Sequence, residues 1–215
     1  MAQLGRPRSF DRTQAVDEAM LLFWRYGYEA TSLSRLKAAI GGGITAPSFY
    51  AAFGSKEELF KEVVARYMAT HGRVNDPLFD EALAPREAIV AALMRSARMQ
   101  CDEQLPKGCL VALGTLGCYA EEESSIPLPL RQARARTREG LLSCVRRGVA
   151  RGDLAEDTDV DALAALLEGF LLGISPMARD GVELAVIEGA IDQAVKLWDI
   201  NARKKREPSS SLTAR

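Results

Sequence analysis

Apolar side chains recur at three- to four-residue intervals along almost the whole chain, and nowhere is the alternate-residue pattern of a half-buried strand sustained. The pattern predicts a succession of amphipathic helices. The first spans about Asp11 to Tyr26, with Ala15, Ala19, Met20 and Phe23 as its inward stripe. Asp11 is placed to cap it, with Gln14 at the third position and Phe10 ahead as a staple residue. Gly27 is placed to stop it in a left-handed conformation. Two short helices follow: Ser32 to Ala39 with Leu33, Leu36 and Ile40 inward, and Thr45 to Ala52 with Phe49 and Phe53 inward. A turn containing Gly41, Gly42 and Gly43 joins them. Thr45 is the expected cap of the second, and Pro47 falls in its first turn, where the missing N–H costs little.

Ser55 and Glu58 form a capping box for the next helix, which continues through Leu59, Val63 and Tyr67. The periodicity lapses from Gly72 to Pro85 and resumes from Glu87 to Cys101. Further helices are predicted from Cys109 to Tyr119 and from Leu130 to Ala150, with a loop holding Glu121, Glu122, Glu123, Pro127 and Pro129 between them. Thr158 and Asp161 open a strongly apolar helix that reaches Ser175, where Pro176 is expected to kink or end it. A last helix covers about Val182 to Trp198, and the tail from Arg203 to Arg215 reads as disordered. The expectation is an all-α chain with no internal repeat.

Composition narrows the function. The net charge of −1 conceals an asymmetry. Residues 1–75 hold ten Lys/Arg against seven Asp/Glu, residues 76–200 hold thirteen against twenty-one, and residues 201–215 hold five against one. A basic first third is compatible with a polyanionic partner, or with unevenly scattered solvated charge. The sole histidine, His71, nearly removes Ser-His-Asp, Cys-His and His-ligated zinc chemistry. His71 itself reads as a solvated or capping side chain, and Arg131, Arg134 and Arg138 as an exposed helix face. The four cysteines (Cys101, Cys109, Cys118, Cys144) contain no C-x-x-C pair, and the glycine triplet has no lysine to meet a phosphate. The N-terminus lacks an apolar core, and Glu168 interrupts the longest apolar run, so neither a secretion signal nor a membrane span is expected. The chain reads as cytoplasmic, without cofactor or metal.

Two short helices joined by a glycine turn and packed on a longer helix describe a helix-turn-helix, or equally a helical hairpin in a bundle. With Phe49 and Phe53 inward, Thr45, Ala46, Ser48 and Tyr50 face outward, and small hydroxyl or methyl groups suit base edges in a major groove. The stretch from Ala15 to Leu59 resembles the DNA-binding domain of the TetR family of transcriptional regulators. The likeness rests on Ala19, Phe23, Gly27, Tyr28, Thr31, Leu36, Ala39, Ile44, Thr45, Tyr50, Phe53, Lys56 and Leu59, and on the segment from Thr45 to Phe60. Gly5-Arg6-Pro7-Arg8 is similar to the arm that precedes the first helix in many members. It suits either minor-groove insertion or a solubilising tail. Three glycines stand where the family usually has about one, which leaves the docking angle open.

The resemblance implies that Thr45, Ala46, Pro47 and Ser48 face bases, and that Tyr50, Lys56 and Thr31 hold phosphates. Arg35 and Lys37 add backbone contacts, or one of them belongs to a solvated face, and Arg6 and Arg8 enter the minor groove. It implies a homodimer on a near-palindromic double-stranded operator, with reading helices about 34 Å apart. The divisions expected are residues 1–54 for the arm and reading domain, 55–75 for a connecting helix, 76–200 for a helical ligand-binding and dimerisation domain, and 201–215 for a basic tail. Leu163, Leu166, Leu167, Phe170 and Ile174 on one helix, and Ile191, Ala194, Val195 and Trp198 on the next, are the expected dimer interface. Gly169 and Gly173 would admit the close approach of another helix.

An unknown small-molecule effector is expected to release the DNA. Met94, Cys101, Cys109, Leu113, Leu116, Cys118 and Leu142 are candidates to line its pocket. Pro106-Lys107-Gly108-Cys109-Leu110 is similar to a P-x-G-C-L segment of some family members. There Cys109, at a helix amino end beside Lys107, is either a reactive thiol or a small packed hydrophobe. Two other classes compete with the regulator: a small all-α enzyme using Cys109 or Cys118 as nucleophile, and an interaction adaptor that has lost DNA binding, for which the glycine triplet speaks.

Overall fold

A computed structural model describes residues 10–114 and 128–202. Arg6, Arg8, Leu116, Cys118, the three glutamates of the acidic loop and residues 203–215 of the basic tail lie outside the described residues. Helices occur at Arg12–Ala30 (α1), Leu33–Ala39 (α2), Ala46–Phe53 (α3), Lys56–Ala69 (α4), Pro85–Gln100 (α5), Leu110–Leu113 (α6), Leu128–Ala150 (α7), Val160–Arg179 (α8) and Leu184–Ile200 (α9). Tight 3₁₀ segments cover Ile40–Gly42 and His71–Phe79. No strand is present among the described residues, only an isolated bridge between Leu154 and Ala202.

The caps explain where the helices begin. The Asp11 carboxylate accepts the amides of Thr13 and Gln14, the Ser32 hydroxyl accepts Arg35 N–H, and Thr45 accepts Ser48 N–H. The Ser55 cap is one-sided: its hydroxyl accepts Glu58 N–H, while the Glu58 side chain turns to Lys61. At α8 the cap is Asp159, which accepts Ala162 N–H. Thr158, expected there, donates instead to Ala155 O. Gly27 does adopt a positive φ, but as a kink, and α1 resumes to Ala30. Pro176 does not end α8, which runs on to Arg179. The segment from His71, read as a lapse in pattern, is wound as 3₁₀ helix.

Two cores form. One gathers α1 to α4 around Phe23, Trp24, Phe49 and Phe60, and takes in Leu110, Val111, Leu130 and Ala133 from the body of the protein. The other joins α5, α7, α8 and α9 around Leu93, Leu141, Leu167 and Trp198. Helix α8 is by length and composition apolar enough to cross a bilayer. In the fold, however, its inward stripe packs in this second core, and its Glu168 is paired with Arg138 at 2.7 Å.

This packing corrects the expected interface. Leu163, Leu167, Ile174, Ile191, Val195 and Trp198 are all buried within their own chain, because α5 and α7 supply the partner surface that the sequence reading assigned to a second subunit. Leu166 is 50% exposed and Val186 59%, while Phe170 and Ala194 are half-buried. A Cβ at Gly169, Gly173 or Gly189 would meet nothing within 4 Å. The outward stripe of α8 and α9 is therefore Leu166, Gly169, Phe170 and Gly173 with Val186 and Gly189.

Candidate nucleic-acid interface and effector cavity

Three consecutive positive-φ residues build the turn between α2 and α3: Gly41 at 57°, Gly42 at 74° and Gly43 at 113°. Side chains at these angles are strained, so glycine is what lets the chain wind tightly here. Glu18 of α1 accepts Gly41 N–H at 2.7 Å, and Ile44 N–H returns to Lys37 O at 2.8 Å. The extra glycines are thus absorbed in a pinned 3₁₀ turn whose geometry α1 dictates.

Phe49 is fully buried and Phe53 nearly so, which forces the opposite side of α3 outward. Thr45, Pro47, Ser48 and Tyr50 are exposed and Ala46 is half-buried. The Thr45 and Ser48 hydroxyls share a 3.0 Å hydrogen bond. Lys56, in the first turn of α4, holds its ammonium 4.1 Å from the centre of the Tyr28 ring. Partial burial lowers its pKa from the ordinary lysine value, with Glu29 opposing. Arg35 lies over Tyr26 at 4.2 Å, and Lys37 is half-buried. The two tyrosine platforms and the Glu18 anchor were not singled out from the sequence. Their signal is a tyrosine pair flanking Gly27 and a carboxylate in the second turn of α1.

Thr31 departs from its expected role. It is fully buried, and its hydroxyl donates to Gly27 O at 2.6 Å, satisfying a carbonyl exposed by the kink. That hydroxyl does not face a phosphate here. Arg138 stands on an exposed face, as expected, and from there forms a bidentate pair with the buried Glu168 at 2.7 and 3.1 Å. His71 is half-buried rather than fully solvated, and it is not a cap. It packs edge-on to Trp24 at 5.0 Å and lies 5.8 Å from Tyr67. Burial lowers its pKa, with Asp17 opposing.

In the body, α4, α5, α7 and α8 line a narrow cavity of about 40 Å³, open in part to solvent. Of the expected lining residues that are described, the structure brings only Cys109 to it. Met94, Cys101 and Leu142 pack against the second core, and Leu113 borders a separate groove beside Trp24. The sequence reading ranked apolar residues by helix periodicity, whereas this wall is amphipathic. It includes Tyr67, Leu171 and a buried chain in which Ser175 donates to Gln100 at 2.6 Å and Gln100 to Ser96 at 2.8 Å. The Cys109 thiol accepts from Tyr67 Oη at 3.3 Å, and burial raises the Tyr67 pKa well above its usual value. Lys107, expected beside that thiol, instead donates to Cys101 O at 2.6 Å.

Residues 15–63 match the model of bacterial regulatory proteins of the tetR family, and residues 84–194 match the tetracyclin repressor-like C-terminal domain. The chain belongs to the TetR family. It is 32% identical over 195 residues to the HTH-type transcriptional repressor ComR of Escherichia coli (strain K12), covering 90% of this chain and 91% of that protein. Among solved structures it is similar to a cysteine mutant of the TetR family regulator CifR complexed with 26 bp double-strand operator DNA. That likeness has a TM-score of 0.82 and 39% identity over 90% of this chain and all of the other. A Bacillus subtilis (strain 168) HTH-type regulator, YezE, is 27% identical over 91% of this chain and its own full length. These relatives are regulators of transcription, which speaks against the enzyme reading.

Proposed function

We propose that this TetR-family protein is a homodimeric, ligand-released repressor that reads a near-palindromic operator in the cytoplasm. The observation that carries this is the outward face of α3. Its hydroxyl, methyl and pyrrolidine groups stand exposed while Phe49 and Phe53 anchor the opposite side, as a helix entering a major groove requires. Thr45, Ala46, Pro47 and Ser48 face bases. Tyr50, Lys56 and Arg35 hold phosphates, with Lys37 at the margin, and the exposed amino ends of α3 and α4 offer backbone N–H groups to the same anions. An incoming phosphate offsets the desolvation of Lys56. The likeness to an operator-bound CifR supports this placement.

Dimerisation uses the outward stripe of α8 and α9, where Leu166, Val186 and the open glycines leave room for the same helices of a second copy. The body cavity, which must widen to do so, takes a small effector with an apolar body and hydrogen-bonding groups that address Gln100, Ser175 and Thr137. Binding there biases the protein towards a state whose two reading heads no longer match the operator.

A salt-dependent gel shift with the DNA flanking the protein's own gene tests the reading. Lys56→Ala is expected to weaken binding to all sequences alike and to flatten the salt dependence by about one charge. Ser48→Ala is expected to alter preference at one operator position with little change in salt dependence. Equal effects of both on sequence preference, or no shifted band at all, would refute these roles.

A further inference from the structure

The peptide from Pro106 to Cys109 is wedged between three helices, and each contact is specific. The Trp24 indole N–H of α1 donates to Gly108 O at 2.9 Å in a fully buried bond. Gly108 N–H donates to Gln100 O of α5 at 3.1 Å. Gly108 has φ of 83°, and a Cβ there would meet Leu113 Cδ1 at 2.5 Å and Ser175 O of α8 at 3.1 Å. A side chain here would be strained by the positive φ and would crowd Leu113 and the Ser175 carbonyl.

Arg179, the last residue of α8, closes the assembly from the other side. Its Nη2 donates to Trp24 O at 2.9 Å and to Arg25 O at 3.1 Å, and its Nε reaches Lys107 O at 3.4 Å. Gly27 leaves helical geometry just beyond, so these two α1 carbonyls lie in the turn where the helical ladder is interrupted. One planar fork thus joins α8, the wedged peptide and α1, a task a point-charge ammonium would do less well. Gln100, Ser175 and Cys109, which hold or adjoin the wedged peptide, also line the cavity.

We propose that Arg179, with the Trp24 indole and the Lys107–Gly108 backbone, is a clamp that sets the angle of the reading head on the body. Through it, the cavity wall acts on α1 directly, in parallel with the covalent connection through α4. The role given to the cavity rests on the effector reading above. The clamp itself requires only that the head be held at one angle. Arg179 and Trp24 are positioning residues, since neither is placed against DNA.

The test compares wild type with Arg179→Ala, Arg179→Lys and Trp24→Phe. The probe is the operator segment footprinted beside the protein's own gene, together with versions carrying one base pair inserted or removed at the centre. A head free to swing occupies the matched angle a smaller fraction of the time, and apparent affinity falls by that fraction, here about tenfold for Arg179→Ala on the natural operator. Binding to the altered spacings should fall less, so spacing discrimination shrinks, with Arg179→Lys intermediate. Unchanged discrimination in a variant that melts like wild type overturns the clamp. Hydrogen exchange without DNA separates this from failure of the operator reading. Faster exchange confined to α1 and the peptide 105–109 supports the clamp even if no operator is footprinted. Unchanged exchange, or a uniform rise that includes α5 and α9, overturns it.

Discussion

Leu166 and Leu167 are adjacent on α8 and chemically identical, yet the fold assigns them opposite duties, which makes Leu166→Glu a sharp test of the dimer surface. Leu167 is 1% exposed and lies in the chain's own core, whereas Leu166 is 50% exposed. Fully burying a leucine is worth about 1.5–3 kcal/mol, so covering the remaining half contributes about 1 kcal/mol per protomer and about 2 kcal/mol across a two-fold interface. Two carboxylates stripped of water without partners add a penalty of about 3 kcal/mol or more. The total, about 5 kcal/mol, weakens dimerisation by more than three orders of magnitude. The substitution touches solvent in the isolated chain, so urea unfolding of the monomer should move by no more than about 0.5 kcal/mol. Sedimentation equilibrium should show wild type as a dimer at micromolar concentration and Leu166→Glu as a folded monomer with weakened operator affinity. Leu167→Ala should instead cost about 2–5 kcal/mol of stability by leaving a cavity. A folded Leu166→Glu protein that sediments as a dimer would remove this face of α8 from the interface.

Other expectations follow from the same geometry. At Gly42, where a Cβ meets nothing within 4 Å, alanine should cost only the strain of the left-handed conformation, about 1 kcal/mol or a melting shift of about 2–4 °C; at Gly41 the Cβ would meet Phe10 Cβ at 2.6 Å, so Gly41→Ala should melt lower still and shift the position of α3. Thr31→Val keeps the shape but removes the hydroxyl bonded to Gly27 O, so stability should fall by about 1–3 kcal/mol while the salt slope of DNA binding stays as in wild type; a flatter slope would restore Thr31 as a phosphate ligand. The folded pKa of His71 lies below its unfolded value, so the unfolded chain binds the extra proton first. Its contribution to stability is complete above the unfolded value of about 6.5 and is lost as pH falls through it towards the folded value. Chemical denaturation of His71→Phe between pH 7 and pH 5 should show a smaller loss than wild type.

The reading head was legible in the sequence because its determinants are local. Caps at Asp11, Ser32, Thr45 and Ser55 and a pair of phenylalanines four residues apart specify short helices and their inward sides without knowledge of the rest. What could not be read were choices among partners distant along the chain. Helix α8 is apolar on two sides, and periodicity alone does not say which side meets α5 and α7 and which is left outward. Thr31 looks like an exposed loop hydroxyl until the kink at Gly27 turns a carbonyl towards it. Arg138 is exposed, as its helix position suggests, but the sequence does not show that Glu168, thirty residues away, lies within its reach. The lining of this cavity is illegible in the sequence for a related reason: its polar chain of Ser96, Gln100 and Ser175 joins residues of two helices 75 positions apart.

The paired hydroxyls at the start of α3 carry a consequence for how finely the protein can choose its sites. Two hydroxyls own two hydrogens, and the bond between Thr45 and Ser48 consumes one. The remaining hydrogen can sit on either oxygen, so the same surface offers a donor to one base edge or, with the proton reversed, an acceptor to another. A guanidinium fork admits one answer beneath it; this swivelling pair admits two. If Thr45 and Ser48 face bases as proposed, selectivity at the base pair beneath them would be shallow, and a single protein of this kind would serve a small set of promoters that differ there.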